Sequence, residues 1–186
     1  MAPRESNDLE FNVSGLLRGP IGDTRTYDIL EPRLALDEEL RASDIAGDVR
    51  LLRITSGVLA EGALTAEVTL ECSRCLTQAS TSVSAPIEEE YRPRIDVVTG
   101  APAAALQEGE VEGDFSWLSP NHILDLTETV RQSILVSLPQ SPLCRENCAG
   151  LCPTCGKDLN LESCDCAHQA GDPRLAGLAQ LLERLD

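Results

Sequence analysis

Apolar and polar positions alternate strictly over residues 63–72. Leu64, Ala66, Val68, Leu70 and Cys72 share one face, and Thr65, Glu67, Thr69 and Glu71 share the other. A period of two predicts a half-buried antiparallel strand. Val49, Leu51, Leu52 and Ile54 predict a strand over 48–55, and Val83, Ala85, Ile87 and Tyr91 predict one over 79–91. Gly57 and Gly62 offer turn or bulge positions, and Cys72-Ser73-Arg74-Cys75 closes the turn between the second and third strands. The three segments form a meander. Nearer the N-terminus, Phe11, Val13 and Gly15 alternate with polar residues, and Gly19-Pro20 marks a turn. Residues 27–40 are mixed, with Leu34, Leu36 and Leu40 fitting either a short strand or a helical turn.

From Pro93 to Pro120 the alternation dissolves into a Gly-, Pro- and Glu-rich stretch, read as a solvated acidic loop anchored at its far end by Phe115 and Trp117. A helix is predicted next, with Ser119 as cap and Pro120 at its first position. Its stripe is Ile123, Leu124, Leu126, Val130, Ile134, Leu135 and Leu138, and Pro139 ends it. A short terminal helix starts at Asp172-Pro173. The expected fold is α+β: an antiparallel meander backed by one longer helix, followed by a cysteine-rich segment and the terminal helix. The expected division is 1–140 as sheet-plus-helix core, with 93–120 as the acidic loop, and 141–186 as a cysteine-rich zinc-binding segment packed on it.

Composition changes this picture in two ways. The 186 residues carry 31 Asp plus Glu against 15 Lys plus Arg, a formal charge of −16, which argues against a broad phosphate-gripping surface. Lys157 is the one lysine. Hydrophobic residues make up 42% of the chain, enough for a core, which sets it apart from a disordered acidic tail. No run reaches the ~18 apolar residues of a membrane span, and Met1–Asp8 lacks the apolar stretch of a signal peptide. A cytoplasmic location is the expectation, and in a reducing compartment paired cysteines point to metal or redox chemistry.

The eight cysteines come as four pairs: Cys72 and Cys75, Cys144 and Cys148, Cys152 and Cys155, Cys164 and Cys166. Two thiols at such spacing reach one ion from a single tight turn, and zinc takes four in a tetrahedron. Proximity suggests one site from Cys152, Cys155, Cys164 and Cys166, and a second from Cys72, Cys75, Cys144 and Cys148, giving up to two structural Zn²⁺. Exchange of partners between the sites is the alternative, and His168 could replace a ligand; His122 reads as structural. Iron–sulfur ligation also uses four thiolates, and spacing alone leaves it open. A redox Cys-x-x-Cys usually opens a helix, whereas Cys72 ends a strand. Four thiolates close a zinc site to substrate, and no His-Glu-x-x-His, phosphate loop or Gly-x-Ser-x-Gly elbow appears, so catalysis by thiol or zinc is the lesser reading.

Leu143-Cys144, the run from Cys148-Ala149-Gly150-Leu151-Cys152-Pro153-Thr154-Cys155-Gly156 to Asn160, Cys164-Asp165-Cys166, and Asp172-Pro173-Arg174-Leu175 closely resemble the C-terminal half of the YceD family. Val68 to Leu76 and Leu138-Pro139 resemble its other hallmarks, so the likeness runs in order over roughly residues 10–185. The family is that of the large ribosomal RNA subunit accumulation protein. The resemblance implies a role in synthesis, processing or stability of 23S rRNA and in large-subunit assembly; together with closed cysteine sites and no catalytic motif, it leads to the expectation of a non-enzymatic factor. Arg74, Arg145 and Lys157 near the cysteine turns could form a small basic patch for direct rRNA contact. Eight metal-bound thiolates and two Zn²⁺ would take the formal charge from −16 to about −20, which favours a basic ribosomal or assembly protein as partner.

Overall fold

The computed structural model describes residues 9–103 and 115–166. Strand β1 (Glu10–Asn12) and the single helical turn α1 (Ser14–Leu17) lead into four long strands: β2 (Thr24–Ala35), β3 (Arg41–Arg53), β4 (Val58–Glu71) and β5 (Gln78–Arg92). After the acidic segment come β6 (Ser116–Trp117), β7 (Ile123–Asp125) and helix α2 (Thr127–Ser137). The main sheet runs β2-β3-β4-β5-β6, and β1 pairs with β7 in a separate ribbon.

The long strands are antiparallel, as the alternation requires, but β6 joins β5 in parallel. The sheet is therefore mixed, and the expected purely antiparallel meander is corrected at this edge. Two residues of pairing suffice there because Phe115 is buried beside the Arg92 guanidinium, 4.0 Å from its ring centroid. Phe115 and Trp117 also pack edge-to-face at 5.0 Å, so both anchor the end of the acidic segment as expected.

Inward residues of β4 and β5, among them Val58, Ala60, Leu64, Val68, Val83, Ala85 and Ile87, form the core with Ile45, Val49 and Leu51 of β3. Helix α2 covers this face through Val130 and Ile134, and Leu9, Leu16, Leu124 and Leu126 close its side. Tyr91 reaches across, its hydroxyl 2.6 Å from Thr129 Oγ1. The close crossing of β3 and β4 explains Gly62: a Cβ there would lie 2.2 Å from the Asp48 carbonyl oxygen. Gly62 thus lies within a strand, and the bulge falls instead in β3, between Ser43 and Ala46.

The helix expected from Ser119-Pro120 begins at Thr127 instead. Ser119 does cap, but it caps a turn: its Oγ accepts from the Ile123 amide at 2.9 Å, and its carbonyl accepts from His122. His122 has φ 58°, which no right-handed helix accommodates. Leu124 and Leu126 are buried on either side of exposed Asp125, the period of a strand. His122 is structural, with Nε2 3.0 Å from the Ile95 carbonyl oxygen. The terminal helix expected from Asp172, and His168, lie outside the described residues. Among the described residues no helix is long and apolar enough to cross a membrane.

Candidate metal centre

Two turns of the same design carry the first cysteine of each group. In the β4–β5 turn, Cys72 N donates to Thr77 O at 2.9 Å and Leu76 N donates back to Cys72 O at 2.9 Å. In the later turn, Cys152 N donates to Lys157 O at 2.8 Å and Gly156 N to Cys152 O at 2.9 Å. The residue after the second cysteine is left-handed in both, Leu76 at φ 62° and Gly156 at φ 73°. This conformation turns the chain back so that both thiols of a Cys-x-x-Cys face one point, and it aims backbone amides at sulfur.

The tail meets the first turn through main-chain and side-chain bonds. Ser73 donates to Pro142 O from its amide and hydroxyl, each at 2.8 Å, and Leu151 N donates to Arg74 O at 3.0 Å. Arg74 Nη1 donates to Cys148 O at 2.8 Å. Gly150, at φ 74°, sits where a Cβ would come within 3.0 Å of Arg74 O. These contacts bring Cys144 and Cys148 onto Cys72 and Cys75, closing a loop of some seventy residues by sequence.

All eight cysteines fall into two quartets: Cys72, Cys75, Cys144 and Cys148, and Cys152, Cys155, Cys164 and Cys166. The sulfurs of each quartet lie within 4.8 Å of one another. None forms a disulfide. Four thiolates around a tetrahedral ion with bonds of ~2.3 Å lie ~3.8 Å apart. Cys72 and Cys148 sulfurs are 3.8 Å apart, and those of Cys75 and Cys144 are 3.6 Å apart. The donor set and its spacing therefore fit a four-coordinate metal ion, zinc among them, with no coordination position left over. The two quartets differ in exposure. The first is buried except for half-buried Cys144 and is flanked by Leu143 and Leu151; in the second, Cys155 is exposed and Cys164 and Cys166 are half-buried.

The electrostatics follow from those amides. The amides of Cys75, Cys144 and Arg74 lower the Cys72 thiol to about 6, and those of Cys155 and Thr154 lower Cys152 to about 6. Burial and then the neighbouring thiols push Cys144 up to about 12. The Cys155 thiol and then burial do the same to Cys166. Against its burial, the Asn160 side chain and the Gly150 amide lower Cys148 as well. Thiolates formed at the lowered positions oppose ionisation of Cys144 and Cys166, so a bound cation would let all four thiols of a quartet ionise together.

Three supporting residues are not evident from cysteine spacing. Asn160 Nδ2 donates to Cys148 Sγ at 3.4 Å, while its Oδ1 accepts from the Ala149 amide at 2.8 Å. Asp158 Oδ1 accepts from the same Asn160 Nδ2 at 2.6 Å and fixes the side chain. Thr77 Oγ1 lies 3.0 Å from Cys75 Sγ. Asn160 stands inside the Gly-Leu-Cys-Pro-x-Cys-Gly-x-x-Leu-Asn string, which was the available signal. Of the three cations expected to form a basic patch, Arg74 is engaged by Cys148 O and Lys157 sits 3.5 Å from Glu162; Arg145 is exposed.

Compared with known proteins, residues 60–182 match the family model described as large ribosomal RNA subunit accumulation protein YceD. An uncharacterized protein of Mycobacterium tuberculosis is 28% identical over 181 residues, covering 95% of this chain and 83% of the relative. One of Mycobacterium leprae is 30% identical over 139 residues, covering 73% and 58%. A maize protein named large ribosomal RNA subunit accumulation protein YCED homolog 1, chloroplastic, is 29% identical over 129 residues, covering 57% and 43%. No solved structure matches the chain.

Proposed function

The chain belongs to the YceD family of large ribosomal RNA subunit accumulation proteins, and from that premise we propose that it is a non-enzymatic cytoplasmic factor for 23S rRNA accumulation and large-subunit assembly, folded around two structural Zn²⁺. Cys72, Cys75, Cys144 and Cys148 hold one ion, and Cys152, Cys155, Cys164 and Cys166 hold the other. The observation that carries the metal reading is the pair of thiol quartets, each with its sulfurs within 4.8 Å. Zinc would supply cross-linking without redox chemistry, and its affinity would add to folding stability.

On this reading residues 1–140 are the sheet-and-helix core, and 141–186 are a metal-held segment clamped onto the β4–β5 turn. The first ion joins the two; the second stiffens the segment beyond it. A surface this acidic favours a basic ribosomal or assembly protein over broad contact with rRNA. Depletion tests the function. The 23S to 16S rRNA ratio and the free large-subunit peak are expected to fall, and unchanged values would overturn the proposal.

A further inference from the structure

An open groove of about 780 Å³ lies between the β2–β3 hairpin and the cysteine end of β4 and β5. Its rim carries Asp37, Glu38, Glu39 and Glu71, and among the described residues no Lys or Arg lines it. Half-buried Leu40 and Leu70 give it an apolar floor that continues into the core. Both walls are fixed. Asp37 Oδ1 accepts from the amides of Glu39 (2.9 Å) and Leu40 (2.6 Å), which sets the hairpin, and Arg131 Nη1 holds Leu36 O at 2.8 Å. Glu71 and Gln78 are the last pair of the β4–β5 ladder, directly before the turn closed by Cys72 and Thr77.

Holding the hairpin uses up Asp37 but not its neighbours. Glu38, Glu39 and Glu71 are exposed, and among the described residues none has an ion-pair partner. Like charges gathered around apolar side chains repel one another in the free protein. A cationic segment relieves that repulsion, and an apolar side chain beside the cations covers the two leucines.

We propose that this groove is a docking site for a basic protein segment, Arg- or Lys-rich with an apolar side chain among its cations. The inference rests on the ribosomal reading for its partner class and names where that partner binds. A nucleic acid is excluded from the groove by the same carboxylates, whose charge repels phosphate.

The test uses the full-length zinc-loaded protein, ¹⁵N-labelled, titrated near physiological salt with the peptide Arg-Arg-Leu-Arg-Arg. Amide shifts are expected at residues 37–40, 69–71 and 78. E38Q/E39Q/E71Q is expected to weaken binding at least tenfold with no loss of melting temperature, since it removes like-charge repulsion. The control D28N/D48N/E88Q removes the same charge from the outer sheet face and is expected to change affinity less than twofold. Equal losses in both variants would mean diffuse attraction and would overturn the proposal. So would shifts confined to other residues, including occupation of the groove by the chain's own residues 167–186, or groove shifts with a 23S rRNA fragment in place of the peptide. The depletion experiment separates the two readings. If 23S rRNA falls on depletion while the peptide ignores the groove, only the docking inference fails; if 23S rRNA is unchanged, the ribosomal reading fails whatever the peptide does.

Discussion

Leu76 and Gly156 occupy equivalent positions in two cysteine turns, and only one of them is suited to it. A left-handed backbone costs an L-residue with a side chain ~1–2 kcal/mol, which glycine avoids at the expense of a more flexible unfolded chain. Leu76→Gly is therefore expected to raise stability by about 0.5–1 kcal/mol, read from urea denaturation of the metal-loaded protein; a loss would show that the exposed Leu76 side chain matters to the fold. Gly156→Ala meets no atom within 4 Å of the new Cβ, so its cost is conformational, about 1 kcal/mol. Asn160 acts through sulfur. Removing a hydrogen bond to a metal-bound ligand typically lowers affinity 10–100-fold. Asn160→Ala is expected to lower the zinc affinity of the Cys72, Cys75, Cys144 and Cys148 quartet by that factor in a chelator competition, and an affinity equal to that of the unsubstituted chain would refute its role.

At the scale of elements, α2 is tied at both ends of the sheet. Ser133 Oγ donates to Pro86 O of β5, and Arg131 links Leu36 O to Glu128. The hydrogen bonds from Arg131 and then Gln132 hold Glu128 down at about 2. A carboxylate lowered on folding adds stability that is complete above its ordinary value of 4.5 and is lost as pH falls through about 2. An NMR titration of Glu128 is expected to show this, and Arg131→Ala is expected to return the midpoint toward 4.5. Under the helix, Ile134→Ala removes a fully buried side chain and is expected to cost about 2–5 kcal/mol.

Which elements were legible follows from the same physics. The alternation of β4 and β5 is clean because one face is buried and the other faces water. Strand β3 begins at Arg41, earlier than its pattern suggests. The bulge between Ser43 and Ala46 inserts one residue, so buried Ala42 and Ile45 are three apart and the period breaks. Strand β2 lies at the sheet edge with Ile29 its one buried residue and Pro32 tolerated there, so no alternation marks it. The leucines before α2 fit a helical stripe and a strand equally well on paper. The β1–β7 ribbon decides for the strand, and that pairing is non-local. The cysteine quartets were legible because close spacing dictates which thiols can share a turn. Asn160 was harder to see because its role depends on where the chain folds back.

At the scale of the molecule, two cysteine quartets of unequal exposure follow an acidic sheet, the first closing on its β4–β5 turn. The exposed second quartet is expected to lose its ion first under a chelator, with the sheet's circular dichroism retained until the first ion leaves. Protons compete with metal for thiolate, so both ions are expected to leave as pH falls. The negative charge limits what such a body can meet. Its groove between the hairpin and the cysteine turn suits cations, while its surface as a whole suits no polyanion.

The most direct test of the account is metal and thiol stoichiometry on the purified chain. Elemental analysis with native mass spectrometry is expected to give two zinc ions and no iron per chain, with no cysteine open to alkylation until the metal is removed. Fewer than two zinc ions, an iron–sulfur cluster, or free thiols in the loaded protein would contradict it.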